Sequence, residues 1–138
     1  MELDKTIREN LDGDYLTIHV ENFKEGVEYA AQKKLQQIHL IGGRAKNVIV
    51  DFKELNKLSE TLQDISFIQD IGNVINFESI YNLKEMRKTY IHDKQKFTFD
   101  VSRFTKLQHL GGDYWNGLIN LDKAYSLTSL KFSTWIVK

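Results

Sequence analysis

The chain of 138 residues contains neither cysteine nor proline. Without cysteine there is no disulfide framework, no thiolate metal site and no cysteine nucleophile. Without proline, the turns fall to glycine, asparagine and aspartate. Net charge is missing too, because 19 Lys+Arg offset 19 Asp+Glu, so no bulk attraction to nucleic acid or to an anionic membrane is expected. The N-terminal stretch MELDKTIRENLDGDY is polar and mixed in charge. It lacks the apolar run of about 7–15 residues that a signal peptide needs, and no segment reaches the roughly 20 residues of a membrane span. These absences predict a soluble, cytoplasmic protein with neither nucleic acid nor membrane as a partner.

What is present is enough apolar residue, 41%, to fill the core of one domain. There is also a repeat. KLQQIHL at Lys34, TLQDISF at Thr61 and KLQHLGG at Lys106 are near-copies of one another. A window with apolar residues at its first, fourth and sixth positions matches fully at Tyr15-Ile18-Val20, Leu35-Ile38-Leu40, Leu62-Ile65-Phe67 and Leu127-Leu130-Phe132. It matches partly at Leu83-Met86-Lys88 and Leu107-Leu110-Gly112. Successive first positions are 20, 27, 21, 24 and 20 residues apart. A second motif lies half a period later, as VIVDF at 48–52, VINFE at 74–78, FTFD at 97–100 and LINLD at 118–122. Turn-formers such as Gly42-Gly43, Gly72-Asn73, Asp93 and Asn116-Gly117 separate the two, so each unit reads as two short extended pieces.

The windows KLQQIHL, TLQDISF, NLKEMRK, KLQHLGG and SLTSLKF resemble the leucine-rich repeat family, whose units run about 20–29 residues. The resemblance implies a short, irregular α/β solenoid: a parallel sheet of about six strands on one side, helices or turns on the other. One domain spans 1–138, with residues 1–14 as an N-terminal cap, 15–133 as repeats and 134–138 as the C-terminal end. Family members usually carry Asn or Cys at the ninth position, bonded to backbone between coils. Here that position holds Gly43, Asp70, Ile91, Trp115 and Trp135, and no asparagine ladder is expected. Trp115 and Trp135 share a register that suits plugs in the coil interior; the alternative is an exposed edge gripping a partner, for which Tyr90 and Tyr114 are the better placed rings.

Helical spacing of Phe23, Val27 and Ala30 after Asn22 predicts a helix over about 23–33, with Asn22 and Glu25 as cap and capping-box partner. Phe52, Leu55, Leu58 and Leu62 form a second helical stripe, whereas the later units leave room for little more than a turn. Helices should therefore thicken the N-terminal half. Leu3, Ile7 and Leu11 are also helically spaced and would cover the first coil. An uncapped C-terminal edge invites pairing with another chain, which makes a homodimer through that edge one expected partner arrangement.

Along each strand, positions four and six face inward and positions three, five and seven outward, since strand side chains alternate. Column three then holds Thr17, Gln37, Asp64, Glu85, His109 and Ser129. Column five holds His19, His39, Ser66, Arg87, Gly111 and Lys131, and column seven Glu21, Ile41, Ile68, Thr89, Asp113 and Ser133. The resemblance implies non-catalytic recognition of another protein through this concave face, with Gln37, His39, Asp64, Ser66, Glu85, Arg87 and Lys131 as a mixed-charge patch and Ile41 and Ile68 as apolar anchors. No cofactor, metal ligand set or catalytic residue is required by that reading. The competing reading is a metal-dependent or acid/base hydrolase using His19, His39, Asp64 and Glu85. Adjacent imidazoles can share a metal ion, and close carboxylates can supply an acid and a base; Arg87 would instead neutralise the carboxylates. Ser-His-Asp, phosphate-loop and HExxH patterns are absent.

Overall fold

The computed structural model describes residues 7–10, 13–42 and 47–132. In chain order they form β1 (Ile7–Asn10), β2 (Gly13–His19), α1 (Phe23–Lys33), β3 (Gln37–Ile41), β4 (Ile49–Asp51), β5 (Asp64–Ile68), β6 (Asn73–Ile75), β7 (Lys88–Ile91), β8 (Phe99–Asp100), β9 (His109–Gly112), β10 (Leu118–Ile119) and β11 (Ser129–Phe132). The chain is mixed α/β. Its main sheet runs β1-β2-β3-β5-β7-β9-β11. The six strands from β2 onward pair in parallel, each beside the main-sheet strand before it, and β1 adds an antiparallel edge. The half-period motifs become β4, β6, β8 and β10. These pair as two separate two-stranded ladders, β4 with β6 and β8 with β10.

A recurrent backbone device joins the units. The carbonyls of Gln36, Gln63, Arg87 and Gln108 each accept two N–H groups from the next unit, at 2.8 and 3.0 Å every time. The inward columns are Leu16-Ile38-Ile65-Thr89-Leu110-Leu130 and Ile18-Leu40-Phe67-Ile91-Gly112-Phe132. Leu16, Ile18, Ile38, Leu40, Ile65, Phe67, Ile91 and Leu110 of these columns pack with Phe23, Val27 and Ala30 of α1, and with Phe52, Leu55, Leu58, Ile80 and Val101, in one continuous core. Phe23, Phe52, Phe67, Phe97, Phe99, Phe104 and Trp115 run through it in ring contacts of 5.4–6.4 Å, distances typical of favourable tilted and edge-to-face pairs.

Helix content falls along the chain. α1 has 11 residues, and the 3₁₀ segments that follow, 52–58, 77–82, 101–103 and 121–123, have 7, 6, 3 and 3. The expected helix at 23–33 is present with those bounds, and it ends where Lys34 takes a left-handed conformation (φ 53°). Asn22 holds the N-cap position, though its side chain makes no capping hydrogen bond. The stripe at 52–62 forms a 3₁₀ segment with Phe52, Leu55 and Leu58 buried. Its spacing of three fits 3.0 residues per turn as well as it fits an α-helix.

The helical cap expected from Leu3, Ile7 and Leu11 is corrected at Ile7, which begins strand β1 and pairs with Leu16; Leu3 and Leu11 lie outside the described residues. Polar side chains fasten the turns. Gln95, 6% exposed, accepts the Ile71 N–H at 3.1 Å and donates Nε2 to the Gln69 carbonyl at 2.9 Å, tying the turn after β7 to the one after β5. Trp115 is buried and donates Nε1–H to the Phe97 carbonyl at 3.2 Å, as an interior plug would; Trp135 lies outside the described residues. On the backing side Asp51 Oδ1 accepts both the Lys53 N–H and Nδ2 of Asn76, each at 2.9 Å. The Asn76 bond, then that of Lys53, holds the Asp51 carboxyl below its ordinary range.

Candidate functional site: the open face of the sheet

Two strands depart from the expected register, and both departures matter here. Tyr15 pairs with Gln37 and Thr17 with His39, a shift of two residues that keeps each side chain on its expected face but moves it one column. Lys88 pairs with Asp64, Thr89 with Ile65 and Tyr90 with Ser66, a shift of three. An odd shift exchanges the faces. Glu85 and Arg87 therefore precede β7 and are not on the sheet face, and Thr89 points inward. Glu85 meets Lys106 at 2.9 Å. That hydrogen bond is the main reason its carboxyl stays below the ordinary range.

The outward columns are Tyr15-Gln37-Asp64-Lys88-His109-Ser129 and Thr17-His39-Ser66-Tyr90-Gly111-Lys131, followed by His19-Ile41-Ile68. His92, two residues beyond Tyr90, continues the last of these and its ring lies 4.5 Å from that of Tyr90. Of the expected contact residues, Gln37, His39, Ile41, Asp64, Ser66, Ile68 and Lys131 are on this face. Gln37, Asp64 and Ser66 are only 4%, 6% and 6% exposed. Their register neighbours Tyr15, Lys88, His39 and Tyr90 are larger, so the three short polar side chains make a floor, with Ser66 Oγ 3.5 Å from Asp64 Oδ1. What stands up from the floor is aromatic and basic. The His39 ring stacks on Tyr15 at 4.0 Å and 20°. Tyr90 lies across Gly111, where a Cβ would meet its ring at 2.8 Å. Lys131, His92 and His109 are exposed.

Burial pushes the His39 imidazole below its ordinary value, and the positive charge of Lys88 and of His92 acts in the same direction. The four residues of the hydrolase reading are not brought together. His19 stands opposite Ile41, His39 opposite Thr17 and Ser66, and Glu85 is off the sheet. Among the described residues no group of three or more His, Asp or Glu is placed to hold a metal ion.

Comparison with protein-family models, with curated proteins and with solved structures finds no match. The site must be read from its own chemistry. Among the described residues, no helix is long and apolar enough to cross a membrane.

The apolar template sets Tyr15 at an inward position, gives Lys88 no place on this face and puts Tyr90 at an exposed edge; in the structure all three are on the face. The missed signal was the alternation Thr89-Tyr90-Ile91-His92. It was hidden because its inward position is a threonine, whose Oγ1 is buried with no hydrogen-bond partner. Tyr90, expected at an exposed edge, is a central member of the face, between Ser66 and Gly111. Tyr114, 47% exposed, sits beyond β9 with its ring 5.9 Å from Phe132.

Proposed function

We propose that this chain is a non-catalytic protein-recognition module, a short, irregular leucine-rich-repeat-like solenoid that docks another protein on its open sheet face. One observation carries the reading. Parallel sheets are ordinarily covered on both faces, whereas here the described helical segments share the core on one face only and the other presents rings, imidazoles and lysines. Tyr-rich surfaces with apolar anchors such as Ile41 and Ile68 suit docking, because large rigid rings give contact area at low entropy cost. The sequential strand order, the repeated double acceptance by Gln36, Gln63, Arg87 and Gln108, and the Gln95 bonds between turns support the solenoid part.

The test is capture from a native cell extract by the intact chain, by an Ile68→Glu, Tyr90→Ala variant, and by an Ile119→Glu variant on β10. Circular dichroism first confirms that all three fold. Partners cross-linked to the unaltered chain are expected to persist with Ile119→Glu and to be lost with the face variant. Equal recovery by all three would refute docking on this face.

A further inference from the structure

The sequence has 4 histidines, and all of them lie on the open face. His19 is opposite Ile41, His39 lies between Thr17 and Ser66, His109 lies between Lys88 and Ser129, and His92 packs on Tyr90. No histidine lies in the core or on the backing side. Histidine is the side chain whose charge ordinarily changes between about pH 5 and 8. Among the described side chains of this face the other charges balance: Lys88 on β7 and Lys131 on β11 are matched by Asp64 on β5 and Asp113 after β9. Within that described set, protonation of the imidazoles tips the sign.

Resting on the docking reading above, we propose that the open face is a proton-gated surface for an acidic polypeptide, weakly held when the histidines are neutral and tightly held when they carry charge. The histidines are spread over several strands, so separate carboxylates along an acidic polypeptide would each gain attraction from the imidazole nearest to them when it carries charge. At His39, burial and then the nearby Lys88 and His92 oppose protonation, and an anion seated beside the ring would offset that opposition. The chemistry fits polypeptide rather than nucleic acid. Asp64 and Asp113 interrupt the positive surface that a continuous phosphate backbone requires, and Tyr15, Tyr90, Ile41 and Ile68 offer the ring and aliphatic contacts that side chains use.

The probe is a fluorescein-labelled Glu/Tyr copolymer peptide, titrated with the intact chain by fluorescence anisotropy at about pH 5.8 and about pH 7.8. Its own carboxylates stay largely ionised at both, since Glu titrates near about 4.3, so the ratio reports the protein. Binding is expected to be roughly tenfold tighter or more at the lower pH. A His39→Gln, His92→Gln, His109→Gln variant, shown to be folded, is expected to lose most of that ratio, and Lys88→Gln to weaken binding at both pH values while keeping the ratio. A ratio near one in the unaltered chain, or a ratio surviving in the triple variant, overturns the proposal. Preferential binding of a single-stranded DNA oligonucleotide over the peptide also overturns it. Capture of a partner through the face that proves indifferent to pH would sink proton gating alone; failure of face-dependent capture would sink the docking reading beneath it.

Discussion

The inward and outward faces of the main sheet are made by alternate residues of the same strands, yet they obey opposite rules. Inward columns repeat one chemistry with few departures: Leu16, Ile38, Ile65 and Leu110 in one, Ile18, Leu40, Phe67 and Ile91 in the other, are each at most 2% exposed, and Thr89 and Gly112 are the members without a large apolar side chain. Outward columns repeat none; Tyr15, Gln37, Asp64, Lys88, His109 and Ser129 share a column without sharing a type. Burial imposes uniformity because each inward side chain must fill a fixed volume beside its counterpart above and below. The outward face has no such constraint, and its variety is free to be used for recognition.

Substitutions can break this contrast, and the largest effect is expected at Phe67. It is fully buried and contacts the rings of Phe52, Phe97 and Phe99. Phe67→Ala should lower unfolding stability by about 3–5 kcal/mol, read from denaturant midpoints. Gln95→Ala is expected to cost less, about 1–3 kcal/mol, because it leaves the Ile71 N–H buried without its acceptor. Amide exchange at Ile71 should rise in step with the loss. Leu130 sharpens the comparison: it holds an inward position on the edge strand β11 but is 44% exposed, so Leu130→Ala should cost under about 1 kcal/mol, near the range of surface substitutions. A loss matching that at Phe67 would mean that β11 is covered like the central strands.

On the outward face the expected effect is smallest and carries a pH signature. His39 has a folded-state pKa below its unfolded value. The unfolded chain therefore binds the proton more readily, and the contribution of this group is present above about pH 6.5 and lost as pH falls through the folded value. His39→Gln should change stability by no more than about 0.5 kcal/mol at neutral pH and flatten the decline on acidification. Paired denaturant titrations at neutral and mildly acidic pH check it.

Much of the fold was legible because burial writes a period into the chain. The α1 bounds, the parallel strands and the half-period strands β4, β6, β8 and β10 followed from apolar spacing and turn residues. The face was legible in part. His39, Ile41, Asp64, Ser66 and Ile68 were placed correctly where KLQQIHL and TLQDISF carry apolar residues at all three template positions. Where an inward position is polar, as at Thr89, or where the window begins with glycine, as at Gly13, apolar matching chose a neighbouring register. At β7 that error exchanged the faces, offering Glu85 and Arg87 in place of Lys88 and Tyr90. Side-chain bonds to backbone, such as those of Gln95 and Trp115, leave no periodic trace because each occurs once.

The most direct test of the division between faces is hydroxyl-radical footprinting of the chain alone and in complex with a captured partner. Tyr15, His39, Tyr90, His92 and His109 should lose reactivity on binding, while Tyr29 on α1, Tyr81 in the 77–82 segment and Tyr125, 89% exposed, keep theirs. Protection of Tyr29, Tyr81 or Tyr125 with the outward rings unchanged would contradict the account.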